Sequence, residues 1–315
     1  MSESPPPATS SFTRSQLLGY AALCVIWGST WLAIRLVVQD APPLEAAAIR
    51  FLIAGALLLG LAWTQRRRWP QGERPWQAIL VLSITIIAIP YGLLFWAEQY
   101  VTLSMTAVLF SAMPLVVALL TPAMMGRKVP RSAVFALVIA FGGLLVLFYT
   151  GLSASRPALW AGAAVMAAMV LSAWSVVYAK KRLEDVDSVV ATGLQLVFGS
   201  AALLWGAWAL EARRHAHWTR ASLIALGFLT IFGSCVAFVI YYWLLKRMQP
   251  YQLATTSLIV PLIAVLEGAL LAREPVPWMM LIAMAIVLAS VGSVLRTEAA
   301  ADGQSDILML RGKTP

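Results

Sequence analysis

The 315-residue sequence has no asparagine, only two cysteines and two histidines, and only 12% charged residues. Without asparagine there is no N-linked glycosylation site, and Gln, Ser, Thr and Tyr are the neutral hydrogen-bonding side chains left. Cys24 and Cys235 sit in apolar segments with no CxxC spacing and no adjacent histidine, so buried free thiols are expected. His215 and His217 share a polar loop, where solvated imidazoles are expected and a metal is not. No Walker-type phosphate loop is present, which argues against ATP as a driving force; no cofactor is expected.

Apolar residues dominate. At 61% hydrophobic the chain exceeds the roughly 45–50% of a soluble domain. The expected fold class is all-α integral membrane, with ten transmembrane helices at 17–38, 43–64, 76–98, 102–125, 131–150, 157–179, 188–210, 222–245, 251–271 and 277–295. Each reaches the roughly 20 residues that cross a hydrocarbon core of about 30 Å. Residues 1–14 and 298–315 read as polar tails. The first apolar run is too long for a signal peptide and lacks a cleavage site.

The net charge of +9 is spread over short loops with no continuous basic stripe, so no nucleic acid is expected as a partner. Sixteen of the 23 Lys and Arg residues fall on the side that includes both termini and five on the other, leaving Arg35 and Arg50 within helices. The positive-inside rule then places both termini in the cytoplasm of a multi-pass cell (inner) membrane protein.

Sliding the chain by 147 residues puts Trp27 on Trp174, Phe51 on Phe198, Tyr91 on Phe238, Trp96 on Trp243, Pro114 on Pro261 and Pro130 on Pro277. Residues 15–150 and 151–297 are therefore expected as two five-helix repeats. An odd number of crossings makes them inverted, an arrangement that in secondary transporters puts the substrate near the midplane and moves it by alternating access.

These residues resemble the EamA branch of the drug/metabolite transporter superfamily. The first helix carries WGSTWLAIR and the second AAAIRFLIAGALLL; FWAEQYVTLSMTAVLFSAMPL spans the third and fourth, and the ninth ends in PLIAVLEGALLAREPV. The resemblance covers about residues 17–297. In place of the family's frequent Gly-Glu-Arg after the fourth helix stands Gly126-Arg127-Lys128, while Glu274 keeps the acidic end in the second half. The resemblance implies a transporter, often an exporter, of amino acids, other metabolites or drugs, with a cavity lined by helices one, three, four, six, eight and nine. An uncoupled facilitator or importer is the alternative within transport. A membrane-embedded lipid-modifying enzyme is disfavoured because the acids are scattered, and a receptor because the loops are short.

Candidate cavity residues are Trp27, Trp31, Tyr91, Phe95, Trp174, Tyr178, Phe238, Tyr242, Thr256 and Glu267. Three- and four-residue steps put Thr256, Val260, Ile263 and Glu267 on one stripe. Glu267 is open to two readings: a coupling-proton or amine site, or a structural carboxylate between packed helices. Arg50 is its candidate ion-pair partner or a side chain that snorkels to an interface. Glu98 is expected near headgroup depth, capping a helix end in water or forming a gate. Pro114 and Pro261 are hinge candidates in matched slots. The small-residue spacings Ala136/Ala140 and Ala285/Ala289/Ser293 allow close helix packing and leave a homodimer open. The expected partners are thus a small-molecule substrate, the lipid bilayer, a coupling proton and a second copy of the chain.

Overall fold

The computed structural model describes residues 12–101, 106, 109–148, 156–211, 215–271 and 278–296. Among these no β-strand occurs. Hydrocarbon offers the backbone no hydrogen-bond partner, so apolar crossing segments close their own bonds as helices. In chain order these are α1 (Arg14–Asp40), α2 (Pro43–Thr64), α3 (Glu73–Ala97), α4 (Met113–Met125) and α5 (Arg131–Phe148). They are followed by α6 (Arg156–Arg182), α7 (Ser188–Glu211), α8 (Arg220–Leu245), α9 (Pro250–Ala254 and Thr256–Leu271) and α10 (Trp278–Arg296). Among the described residues, seven helices are long and apolar enough to cross a membrane: α1, α2, α3, α6, α7, α8 and α9. Shorter apolar helices lie in α4, α5 and α10. Large apolar side chains such as Leu18, Leu119, Phe135 and Trp208 are exposed around the outside, as a lipid-facing surface requires.

Local chemistry sets the ends. Thr13 caps α1 in a capping box with Gln16. Gly126 ends α4 in the left-handed region at φ 69°, its N–H donating to Pro122 O at 3.0 Å. Glu211 at the end of α7 accepts the backbone N–H groups of Leu44 and Glu45, neutralising the positive start of α2 from across the bundle.

α2 packs along α7, α5 along α10, α3 and α4 against α6, and α8 and α9 against α1. Exchanging α1–α5 with α6–α10 leaves this pattern unchanged. The exchange reaches local geometry as well. α3 contains a π-helical turn at Ser83–Ala88 and α8 one at Ile231–Val236, their starts 148 residues apart, one from the sequence offset. Ala136 and Ala140 are buried on α5, which packs against α10, whereas Ala285, Ala289 and Ser293 are exposed on α10.

Asp187 caps α7: its Oδ1 accepts the N–H groups of Val189 and Val190 at 2.9 and 3.2 Å, and its Oδ2 accepts from Arg67 at 2.9 Å. A lost cap costs about 1–2 kcal/mol, and a half-exposed ion pair less than about 1 kcal/mol. Thermal melts in detergent are therefore expected to rank Asp187→Ala as more destabilising than Arg67→Ala. The opposite order would make the ion pair the dominant contribution.

Candidate functional site

A cavity of about 120 Å³ lies between the two halves of the chain. Its wall comes from α1, α3, α4, α6, α8 and α9, the set of helices that the family resemblance implies. The first half supplies Trp27, then Ile86, Pro90, Tyr91 and Leu94 along α3, with Phe110 and Met113 at the start of α4. The second half supplies Ser172 on α6, Phe238 and Tyr241 on α8, and Ala254, Thr256, Ser257 and Val260 on α9.

The aromatic rings form one cluster. Trp27 meets Phe238 at 5.9 Å between centroids and Tyr241 at 5.4 Å, and Tyr91 lies 6.2 Å from Phe238. The Trp27 indole N–H and the Tyr241 hydroxyl are both buried without a hydrogen-bond partner. Two unmet polar groups in an apolar wall are costly to leave so, at about 1–3 kcal/mol each, and they are groups that a ligand acceptor would satisfy.

Of the candidate cavity residues, the wall brings together Trp27, Tyr91, Phe238 and Thr256. Trp31, Phe95, Trp174, Tyr178, Tyr242 and Glu267 are not part of it. Phe95 is 1% exposed and belongs to the core. On α3 the cavity falls on the Leu94 side, three residues from Tyr91, and leaves the position four residues away to packing. Tyr242 turns to α7 and donates to Gln195 Oε1 at 2.5 Å. Trp174 and Tyr178 stack on each other at 4.8 Å, and Arg182 covers Tyr178. Glu267 is half-buried and accepts a hydrogen bond from Ser29, tying α9 to α1. Tyr241 was legible only as the neighbour of Tyr242. Phe110, Met113 and Ser172 carried no sequence signal that separates them from packing residues.

Three expectations need correction. First, Arg50 neither snorkels nor pairs with Glu267. It is 1% exposed, with Nε donating to Ser234 Oγ at 2.8 Å and Nη2 to Gly233 O at 3.1 Å, while Nη1 has no partner. Its guanidinium lies 4.9 Å from the Phe51 ring centre and 5.6 Å from that of Tyr91, directly behind the cavity wall. Rings of α2 and α3, with a hydroxyl and a carbonyl of α8, thus hold a cation that has no carboxylate in contact. Second, Glu98 does not cap its helix in water: both carboxylate oxygens are shielded and without a hydrogen-bond partner. Third, α9 breaks at Thr255, six residues before Pro261, which stays inside the following helix. Tyr20 and Gln252 O hold the Thr255 hydroxyl at that break. Pro114 stands second in α4, where its missing N–H costs no intrahelical bond.

At the end of the bundle with the basic loops, lysines close over helix C-termini. Lys180 donates to Leu245 O and Lys246 O at 2.7 and 2.9 Å, Lys181 to Met124 O at 3.0 Å, and Lys246 to Val186 O. Burial lowers the Lys246 ammonium from its ordinary value. Among the described residues no group of three or more His, Cys, Asp or Glu side chains is placed to hold a metal ion.

Comparison with known proteins accounts for this arrangement. PagO of Salmonella typhimurium is 27% identical over 249 residues, covering 78% of this chain and 81% of that protein. YedA of Escherichia coli K12, described as an uncharacterized inner membrane transporter, is 27% identical over 280 residues, covering 87% and 90%. YoaV of Bacillus subtilis, described as an uncharacterized transporter, is 25% identical over 261 residues, covering 82% and 89%. A solved crystal structure that is 18% identical shares the fold, with a TM-score of 0.75 over 95% of this chain and 99% of its own. The model of the EamA-like transporter family matches residues 15–149 and again 159–296, so the chain belongs to that family of membrane transporters.

Proposed function

We propose that the protein is a secondary transporter with ten membrane crossings in two inverted five-helix repeats, both termini in the cytoplasm. It moves a small organic amphiphile, an amino acid, related metabolite or drug, outward by alternating access. The observation that carries this reading is the aromatic cavity between the halves, with the unmet donors Trp27 Nε1 and Tyr241 OH in its wall. A solute with an apolar or aromatic body and a hydrogen-bond acceptor fits both features. The exchange symmetry of helix packing and the paired π-helical turns support two equivalent halves that rock on each other. The break at Thr255 supplies a bending point, and the lysine bridges hold the cytoplasmic end together in this state.

Cells with and without the protein, compared across a panel of metabolites and drugs, are expected to differ in tolerance and in export of at least one compound. For that compound, Trp27→Phe and Tyr241→Phe each remove one donor and keep a ring. The loss of about 1–2 kcal/mol corresponds to a 5–30-fold drop in transport at low concentration. A panel without any difference, or variants that transport like wild type, would overturn the proposal.

A further inference from the structure

Glu98 is the least satisfied charged group among the described residues. It follows the last residue of α3, at the end where unpaired carbonyls give the helix its negative pole, a poor place for an anion. Both its oxygens are shielded and without a donor. Its neighbours in sequence, Leu94, Ala97 and Val101, pack on Ala161, Val165 and Ala168 of α6, which offer no polar group. The charges that act on it are Arg35 of α1 and Arg50 of α2. Neither forms a salt bridge with it; among the described residues the salt bridge is Arg67–Asp187. An ionised carboxylate left this way costs several kcal/mol, whereas the neutral acid forfeits only its hydrogen bonds.

Its position relates it to the cavity. Leu94, one turn earlier on the same stripe, lines the wall, and Tyr91 lies one turn before that. From Tyr91 to Glu98 the helix rises about 10 Å, and from Trp27 to Arg35 about 12 Å. α1 and α3 are separated by one crossing and so run the same way, which puts Arg35 and Glu98 at a common level beyond the cavity, on the side away from the basic loops. Arg50 lies behind Tyr91, with Nη1 lacking a hydrogen-bond partner.

We infer that Glu98 is a proton-binding site at the outer neck of the cavity, neutral when disengaged as here and, once its proton leaves, drawn to the guanidinium of Arg35 or the free Nη1 of Arg50. The proton passes to water at the outer mouth, and the ion pair that replaces it draws the end of α3 toward α1 and α2. Binding a proton opens the neck and releasing it narrows the neck. This rests on the proposed transport reading for its purpose, and it assigns to Glu98 the coupling proton for which the sequence offered Glu267 as a candidate. Glu267 has a hydrogen-bond donor in Ser29, which Glu98 lacks.

Infrared difference spectra of the full-length protein in lipid, recorded between acidic and alkaline pH, test this without any substrate. A carbonyl band of a carboxylic acid free of hydrogen bonds is expected to titrate in wild type, to vanish in Glu98→Gln and to remain in Glu267→Gln. Arg35→Ala, with its carboxylate neighbour intact, is expected to move the midpoint to higher pH by about half a unit or more, because a nearby cation favours the ionised form. It also serves if Glu98→Gln fails to fold. A wild type without such a band, a band that survives in Glu98→Gln, or a midpoint unmoved by Arg35→Ala would overturn the inference. If the band behaves as expected while the compound panel shows no transport, the proposed function fails and the proton site stands.

Discussion

Arg50→Met is expected to fold as well as wild type and to lose transport by tenfold or more. The guanidinium is buried with no carboxylate in contact and with Nη1 unmet, so its desolvation is only partly offset by Ser234, Gly233 O and two aromatic faces. Replacing such a group by an apolar side chain of similar length is often neutral or stabilising, within about 1.5 kcal/mol, because the buried charge disappears along with its contacts. Ser234 keeps a role for its hydroxyl proton, which it donates to Leu229 O. Arg50→Ala would instead leave a cavity beneath Phe51 and Tyr91 and is expected to cost about 2–5 kcal/mol. Thermal melts and transport assays on the same preparations separate these outcomes. A methionine variant that melts and transports like wild type would show that the cation serves neither stability nor transport.

The second large effect is expected at Gly28, in the Trp-Gly-Ser-Thr stretch of α1. A Cβ there would meet Cβ and Cγ2 of Ile263 on α9, both at 2.5 Å, and although Cγ2 can turn about χ1, Cβ is fixed to its backbone. Gly28→Ala must push α1 and α9 apart, at about 1–3 kcal/mol. The displacement opens the contact that also carries the Ser29–Glu267 hydrogen bond. Ile263→Ala is expected not to rescue the variant, because alanine keeps the clashing Cβ; Ile263→Gly is expected to restore part of the lost melting temperature. A Gly28→Ala protein as stable as wild type would mean that the two helices do not meet this closely. A second close approach, of Gly55 to Val197 and of Gly193 to Leu59, joins α2 to α7 in the same manner.

Much of the architecture was legible in the sequence. Segment hydropathy located the described helices within a few residues at their ends, except that the fourth starts at Met113 and was expected from residue 102, and matched tryptophans and prolines at one offset anticipated an exchange symmetry that the helix packing and the π-helical turns display. The helices around the cavity were named by the family resemblance, and of the ten candidate side chains the cavity wall includes Trp27, Tyr91, Phe238 and Thr256. Trp174 shows why recurrence was not enough. Its ring stacks on Tyr178, because two equivalent positions in the repeats meet different neighbours once one half has closed on the other. Helical spacing also left Leu94 against Phe95 and Tyr241 against Tyr242 undecided, since residues three and four apart lie on either side of the same stripe.

By itself the sequence determined that the chain enters the bilayer, roughly where it crosses, and that its halves repeat. Hydropathy and periodicity are sums over neighbouring residues, and the cost of leaving a backbone unpaired in lipid converts those sums directly into helices. Only the tertiary structure decided what each polar group faces. It buried Arg50 behind an aromatic wall, gave Glu267 a serine, left Glu98 with no donor and moved the break in α9 from Pro261 to Thr255. The free energy of a charge depends on partners that arrive from helices as far as 238 residues away in the chain, as Ser29 does for Glu267, and no local pattern carries that information.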